Sequence, residues 1–302
     1  MALGVLIGAT VFPEWLKSIN EKCTLVSTVF LIFTMGVMLG SRDSFLDELV
    51  TLGLSSILFC IVPVICSIIC VYVLTRLCMK DIIARHEHDA QTKDDSSSNG
   101  EVVMIVSALC ALVFGVLYGL SHVHLGVIDF VAYHSTEILY ILMFFVGISV
   151  GTSRGLIAKI RQYHIRTFII PFGIMFGSIV GGIIVAPLCG VSCATGGAIA
   201  SGLGWYSLSG VMITDIAGAH IGSITFMSNL MRELISFFSI PWIAKHLNYP
   251  TCIAPAGATS EDTTLPMMIR CTNEETVVLS VLNGIICSAA VPVLIEIFHS
   301  FM

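Results

Sequence analysis

LIFTMGVMLG, residues 31–40, recurs 111 positions later as LMFFVGISVG, residues 142–151, and the same offset lays Gly4-Val5-Leu6-Ile7-Gly8 on Gly115-Val116-Leu117-Tyr118-Gly119. The coinciding glycines all stand in GxxxG spacing, which lets two helix backbones approach closely. They therefore predict scaffold packing and say nothing about a ligand. Each copy holds three apolar segments, and an odd number of crossings makes the second copy enter the bilayer from the opposite side. Such an inverted-topology repeat is characteristic of secondary transporters. The first copy lacks about ten residues ahead of its first helix, which looks too short to span hydrocarbon alone, since a span takes ~20 residues.

Composition points the same way. The 302 residues are 56% hydrophobic and only 11% charged, with mean hydropathy +0.95, which excludes a soluble globule. Apolar stretches over 24–41, 49–77, 102–121, 138–151, 167–189, 194–213, 217–244 and 276–298 predict an all-α polytopic membrane protein with about eight transmembrane helices. The alternation required of a membrane barrel is absent. Residues 1–12 lack a basic leader and run into Pro13-Glu14, so no cleavable signal is expected. The eleven cysteines fall mostly within apolar runs (Cys60, Cys66, Cys70, Cys110, Cys287) and are expected to be small buried hydrophobes. The bilayer is the expected surrounding, and no nucleic-acid partner is expected.

Residues 1–78 form the first three-helix repeat, 79–101 a cytoplasmic linker, 102–190 the second, inverted repeat and 191–302 a transport core. The linker sequence KDIIARHEHDAQTKDDSSSNG is polar and Ser-rich. Its His86-x-His88 pair has no further ligand residue to support it, so no metal or cofactor is expected. With the linker inside, Arg154, Lys159, Arg161 and Arg166 are cytoplasmic, only Arg42 lies outside and Arg232 lies in the membrane, with both termini outside. The stretches TGGAIASGLGWYSLSG (195–210) and PAGATSEDTTLP (255–266) are rich in small and hydroxyl residues. Each reads as a re-entrant or broken helix ahead of a long span, although a plain span over 194–213 fits the charge bias nearly as well. The order of elements is similar to that of the glutamate/aspartate transporters in opposite orientation, a likeness of fold only.

Within this apolar chain Glu233, in SNLMRELISFFSIPW, and Asp262, in PAGATSEDTTLP, are carboxylates at membrane depth. Such groups are costly there and mark functional sites. A bond from Glu233 to its neighbour Arg232 is disfavoured because adjacent helical residues do not face each other. Asp215 is expected in a solvated turn, and His122, His124 and His134 in an outer loop.

At SGLGWYSLSG, RELI and AGATSEDTTLP the sequence resembles the bacterial L-lysine exporter family of inner-membrane proteins, most densely from Gly202 to Pro266. The resemblance implies export of L-lysine and its toxic analogues, driven by the proton gradient, with Na⁺ as the other candidate coupling ion. It assigns the two membrane acids to Glu233 and Asp262. Glu261 stands at a variable position of the motif ATSxDxTLP and competes with Asp262 for the acidic role. The long linker and short first helix depart from the family's form.

Lysine requires anions for its two ammonium groups and oriented donors for its carboxylate. Glu233 and Asp262 supply the anions, while backbone amides around Gly202–Ser209 or Gly257–Ser260 are candidate donors. Trp205 or Tyr206 offers cation–π contact or acts as an interfacial anchor. Ser207, Ser209, Ser260, Thr263, Asn229 and Asn283 complete the candidate substrate and proton site. Burial favours the neutral form of a carboxylate, so one acid can hold a proton or a substrate cation but not both, the simplest basis for antiport. A cation-coupled importer of a small amino or organic acid would use the same groups. An intramembrane protease built on Ser207-Leu208-Ser209-Gly210 lacks the preceding glycine and a placed histidine base, so an enzyme is not expected. A homo-oligomer is compatible with the sequence.

Overall fold

A computed structural model of the chain describes residues 2–10, 13–41, 52–79, 96–121, 125–152 and 168–302. His86, His88, His122, His124, Arg42 and the basic residues Arg154, Lys159, Arg161 and Arg166 lie outside the described residues. Among the described residues the chain is helical, with no strand. The first helices are α1 (Ala2–Thr10), α2 (Glu14–Gly40), α3 (Gly53–Cys78), α4 (Ser96–Leu120), α5 (Gly126–Tyr133), α6 (Ser135–Thr152) and α7 (Ile169–Val185). They are followed by α8 (Cys193–Ala200), α9 (Tyr206–Ala217), α10 (Ala219–His246), α11 (Ile253–Ala256), α12 (Leu265–Cys271) and α13 (Glu274–His299).

Among the described residues five helices are long and apolar enough to cross a bilayer, over Leu16–Gly40, Gly53–Cys78, Val103–Leu120, Ile169–Cys189 and Glu274–His299. The chain is a multi-pass membrane protein. The sequence suggested about eight spans, and the shortfall has visible causes. The apolar part of α6 is short, at Ser135–Ser149. The stretch 194–213 is two helices separated at 201–205, and α10 is diluted by Asn229, Arg232 and Glu233. On α3, Ile57, Ile61, Ile65, Ile69, Val73 and Leu77 form an exposed apolar stripe at four-residue spacing, while Ser56, Ser67 and Thr75 are buried. This is the reverse of a soluble helix, and hydrocarbon is the natural solvent for such a stripe.

The chain divides into two compact units, 1–46 with 94–162 and 47–93 with 163–302. In the first unit α1 packs on α6 and α2 on α4. A Cβ on Gly36 would sit 2.7 Å from the Leu112 carbonyl oxygen and 3.1 Å from the Gly115 Cα. One on Gly115 would strike the Phe33 carbonyl, and one on Gly119 would lie 2.6 Å from that of Val37. Gly4 meets Phe144 and Gly147 in the same manner, and Gly8 meets Ile148 and Gly151. Asn20 fastens α2 to α6 by donating to the Phe145 carbonyl at 3.1 Å and to Ser149 Oγ at 2.7 Å.

In the second unit α3 and α7 make an equally close pair. Cβ atoms at Gly177 and Gly181 would lie 2.7 Å from the Ser67 Cα and 2.6 Å from the Pro63 Cα. Between them the hydroxyls of Ser67 and Ser178 are bonded at 2.8 Å, and these residues are themselves 111 positions apart. Phe59, Val185, Ile199 and Ile224 join α3, α7, α8 and α10 in one apolar cluster. All eleven cysteines are free thiols. Cys60 and Cys287 are buried as expected, whereas Cys66 and Cys70 are half-buried and Cys110 is exposed on its helix.

Overpacking at a close contact costs ~1–3 kcal/mol even where side chains can adjust, and here the obstacle is backbone. Gly115→Leu is therefore expected to lower the thermal stability of the detergent-solubilised protein well beyond Gly126→Ala, a position with open space around its Cα. Equal melting temperatures would refute the packing role.

Candidate functional site

The two segments rich in small residues both break, and the breaks meet. In the first, Leu203 (φ 49) and Gly204 (φ 97) turn the chain through the left-handed region between α8 and α9. A leucine in that region is strained by ~1–3 kcal/mol. In the second, Gly257 (φ 59) ends α11, and a short 3₁₀ turn over Gly257–Glu261 leads on toward α12. The link is a hydrogen bond from the Ala258 N–H to the Leu203 carbonyl at 2.9 Å. Gly257 must be glycine on two counts, its φ and the fact that a Cβ there would strike the Leu203 carbonyl oxygen.

A broken helix leaves backbone groups without partners, and inside a membrane protein they must be met by other protein groups. Asn229, on α10, does this for the first break: its Oδ1 accepts from the Gly204 N–H at 2.8 Å while its Nδ2 donates to the Ile199 carbonyl at 3.2 Å. Asn283, on α13, serves the second break by donating to the Gly257 carbonyl at 2.8 Å and to Ser260 Oγ at 2.9 Å. Each long helix thus returns one asparagine to the break that precedes it, 25 and 26 residues back. Ser260 and Ser280 add a reciprocal pair, each hydroxyl donating to the other's carbonyl at 2.8 and 2.7 Å.

Arg232 meets a third set of orphans. Its Nε donates to the Pro255 carbonyl at 3.0 Å, its Nη2 to that of Ala254 at 3.1 Å and its Nη1 to Ser178 Oγ at 2.7 Å. The Ala254 carbonyl is the natural acceptor for Ala258 N–H, which has gone to Leu203 instead.

One helical turn beyond Asn229 stands Glu233, 1% exposed. Its carboxylate oxygen Oε2 is buried with no hydrogen-bond partner in the structure. Asp262 Oδ1 accepts from the Thr263 N–H at 2.6 Å, with the Thr263 hydroxyl 3.3 Å away. Tyr206 is held edge-on against Phe226, with ring centroids 5.2 Å apart. Glu261 turns the other way, with its Oε1 3.3 Å from the Ser288 hydroxyl on α13 and its Cβ under Gly284.

Of the sequence-derived set, Asp262 and Thr263 are bonded to each other after the second break, and Glu233 is buried on α10. Asn229, Asn283 and Ser260 are near but engaged with backbone. Ser207 is exposed, and Ser209 donates to the Trp205 carbonyl of its own helix at 2.8 Å. Trp205 is 37% exposed at the start of α9. The amides of Gly202, Leu203, Gly204, Trp205 and Tyr206 all donate within the break or to Asn229, so most donors expected for a carboxylate ligand are already engaged. Asp215 lies near the end of α9, within the helix rather than in a turn. Arg232 and Ser178 were not among the sequence candidates. The signals were an arginine at membrane depth and a serine at the repeat offset from Ser67.

Gly257→Ala is expected to displace the Leu203 carbonyl, sever the bond between the breaks and cost ~1–3 kcal/mol, seen as a fall in the melting temperature of the purified protein. Unchanged stability would mean that the two breaks are not coupled.

The sequence profile of the family described as Lysine exporter LysO matches residues 109–299, which include every group named at the crossing. The Escherichia coli K12 protein described as Lysine exporter LysO is 31% identical over 288 residues, covering 94% of this chain and 92% of that protein. A Haemophilus influenzae Rd protein whose description also names lysine export is 34% identical over 166 residues, covering 54% of this chain and 83% of that protein. No solved structure matches the chain. The agreement with the Escherichia coli protein runs along nearly the whole length of both chains, and on that ground the protein belongs to the lysine exporter family.

Proposed function

We propose that the protein is a secondary active transporter of the bacterial inner membrane that exports L-lysine by exchange for protons, with Glu233 and Asp262 as the groups that bind in turn the substrate cation and the proton. The observation that carries this reading is the unpartnered Oε2 of Glu233. Leaving a buried acceptor without a donor costs ~1–3 kcal/mol and more for a charged group, and an ammonium or a proton removes that cost. Relatives named for lysine export make lysine the first substrate to test.

The contrast between the two acids supports proton coupling: Asp262 Oδ1 accepts from the Thr263 N–H, whereas Glu233 keeps a buried oxygen that a proton or a substrate cation would satisfy. The crosswise pairing supports the inverted repeat: α1 packs on α6 as its counterpart α4 packs on α2, and Ser67 faces Ser178, its own equivalent. A two-fold exchange of the copies produces such pairs. Eight spans with both termini outside remain part of this proposal.

Radiolabelled lysine flux in proteoliposomes tests it. An imposed gradient with protons more concentrated on the side toward which lysine moves is expected to accelerate efflux, and a sodium gradient is expected to have no effect. Flux indifferent to the proton gradient would sink the antiport. Glu233→Gln and Asp262→Asn are each expected to lower lysine flux by at least about 10²-fold, as loss of a charge that pairs directly with substrate costs several kcal/mol. Because Glu261 faces Ser288 and not Thr263, Glu261→Gln is expected to stay within about threefold of wild type, well under the ~1.4 kcal/mol that a tenfold change represents. The opposite ranking would assign the acidic role to Glu261.

A further inference from the structure

Arg232 is a buried cation, 3% exposed, and among the described residues it forms no ion pair. Its three bonded acceptors are neutral: two carbonyls of α11 and one serine hydroxyl. A guanidinium only donates, so Ser178 accepts from Arg232; its hydroxyl is bonded to that of Ser67 at 2.8 Å, and Ser67 lies 2.7 Å from the Pro63 carbonyl. The arginine thus anchors the last carbonyls of α11 to α7 and, through the serine pair, to α3.

From this geometry we infer that Arg232 is a positioning residue for transport, a clamp that sets the distance between Glu233 and Asp262, and that it is not a ligand for the substrate carboxylate. The inference rests on the lysine-export reading above. Glu233 and Arg232 are consecutive on α10 and project about 100° apart around it. Arg232 grips α11, and the residues immediately following α11 carry Asp262. One helix therefore holds one acid itself and holds the segment bearing the other. The Ala254 carbonyl needs this grip because the Ala258 N–H has been diverted to Leu203. Arginine suits the task and lysine does not, since three separated acceptors require the rigid planar fork of a guanidinium.

The test uses the full-length protein in proteoliposomes, with rates expressed per folded transporter as counted by size-exclusion chromatography. Wild type is compared with Arg232→Met, Arg232→Lys and Ser178→Ala, with lysine as substrate and lysinamide, which lacks the carboxylate, as competitor. Arg232→Met is expected to raise the KM for lysine at least about tenfold, since displacing a binding group by ~1 Å can cost about 10²-fold. Lysinamide inhibition should weaken by the same factor. Arg232→Lys should recover only part of the loss, and Ser178→Ala should shift KM in the same direction by a smaller factor. If Arg232→Met does not fold, the last two variants carry the test.

Loss of lysine affinity with lysinamide inhibition unchanged would overturn the inference by making Arg232 the carboxylate ligand. Variants with wild-type KM per folded transporter would overturn it as well, leaving Arg232 a purely structural residue. If lysinamide does not inhibit wild type, the lysine variant decides: an intermediate KM supports the clamp and a wild-type KM refutes it. A wild-type protein that moves no lysine removes the export reading and the clamp's function with it, an outcome distinct from the other two.

Discussion

The hydrogen bond from Ala258 N–H to the Leu203 carbonyl is the constraint on which the core depends. It joins two broken helices through their backbones, and in doing so it withdraws an amide from the helix that would ordinarily use it. In a medium without water, each diverted group creates a debt elsewhere. Ala254 is left with a carbonyl that Arg232 meets along with that of Pro255, while Asn229 accepts from the Gly204 N–H and Asn283 donates to the Gly257 carbonyl. The strained Leu203 and the glycine at 257 are consequences of the same contact, one holding its carbonyl in place and the other leaving room for it.

This arrangement sorts the polar groups of the core into two sets. Asn229, Asn283, Arg232, Ser260 and Ser280 are engaged with backbone or with one another. Glu233, Asp262, Thr263 and Tyr206 are not consumed by the break, and Glu233 retains a buried oxygen without a donor. A group left unsatisfied inside a densely bonded core is where ligand chemistry has most to gain. The sorting also separates Glu261 from Asp262, adjacent in the chain but turned toward different helices.

The glycines show how a scaffold and a site can be legible to different degrees. GxxxG spacing at 4/8, 36/40 and 115/119 announced close helix contact, and those contacts are present. Which helix meets which was not legible, because spacing identifies a face and not its partner. The same limit applied to the two asparagines. Position midway along late helices marked them as buried and polar, but only the fold shows that each reaches back to the preceding break. Arg232 was visible as a membrane arginine, and its three acceptors come from α7 and α11, segments separated from it by 22 to 54 residues.

Sequence alone determined the environment, the helical class, the two weak points at 195–210 and 255–266 and the presence of carboxylates in apolar surroundings, because hydropathy, small-residue runs and charges at membrane depth are local quantities. The tertiary structure decided that the weak points meet, that Glu233 keeps a buried oxygen without a donor, and that most expected carboxylate donors are engaged. Those are matters of which donor faces which acceptor. An amide freed at residue 258 has many carbonyls in the chain available to it, and only the packed fold selects the one at residue 203.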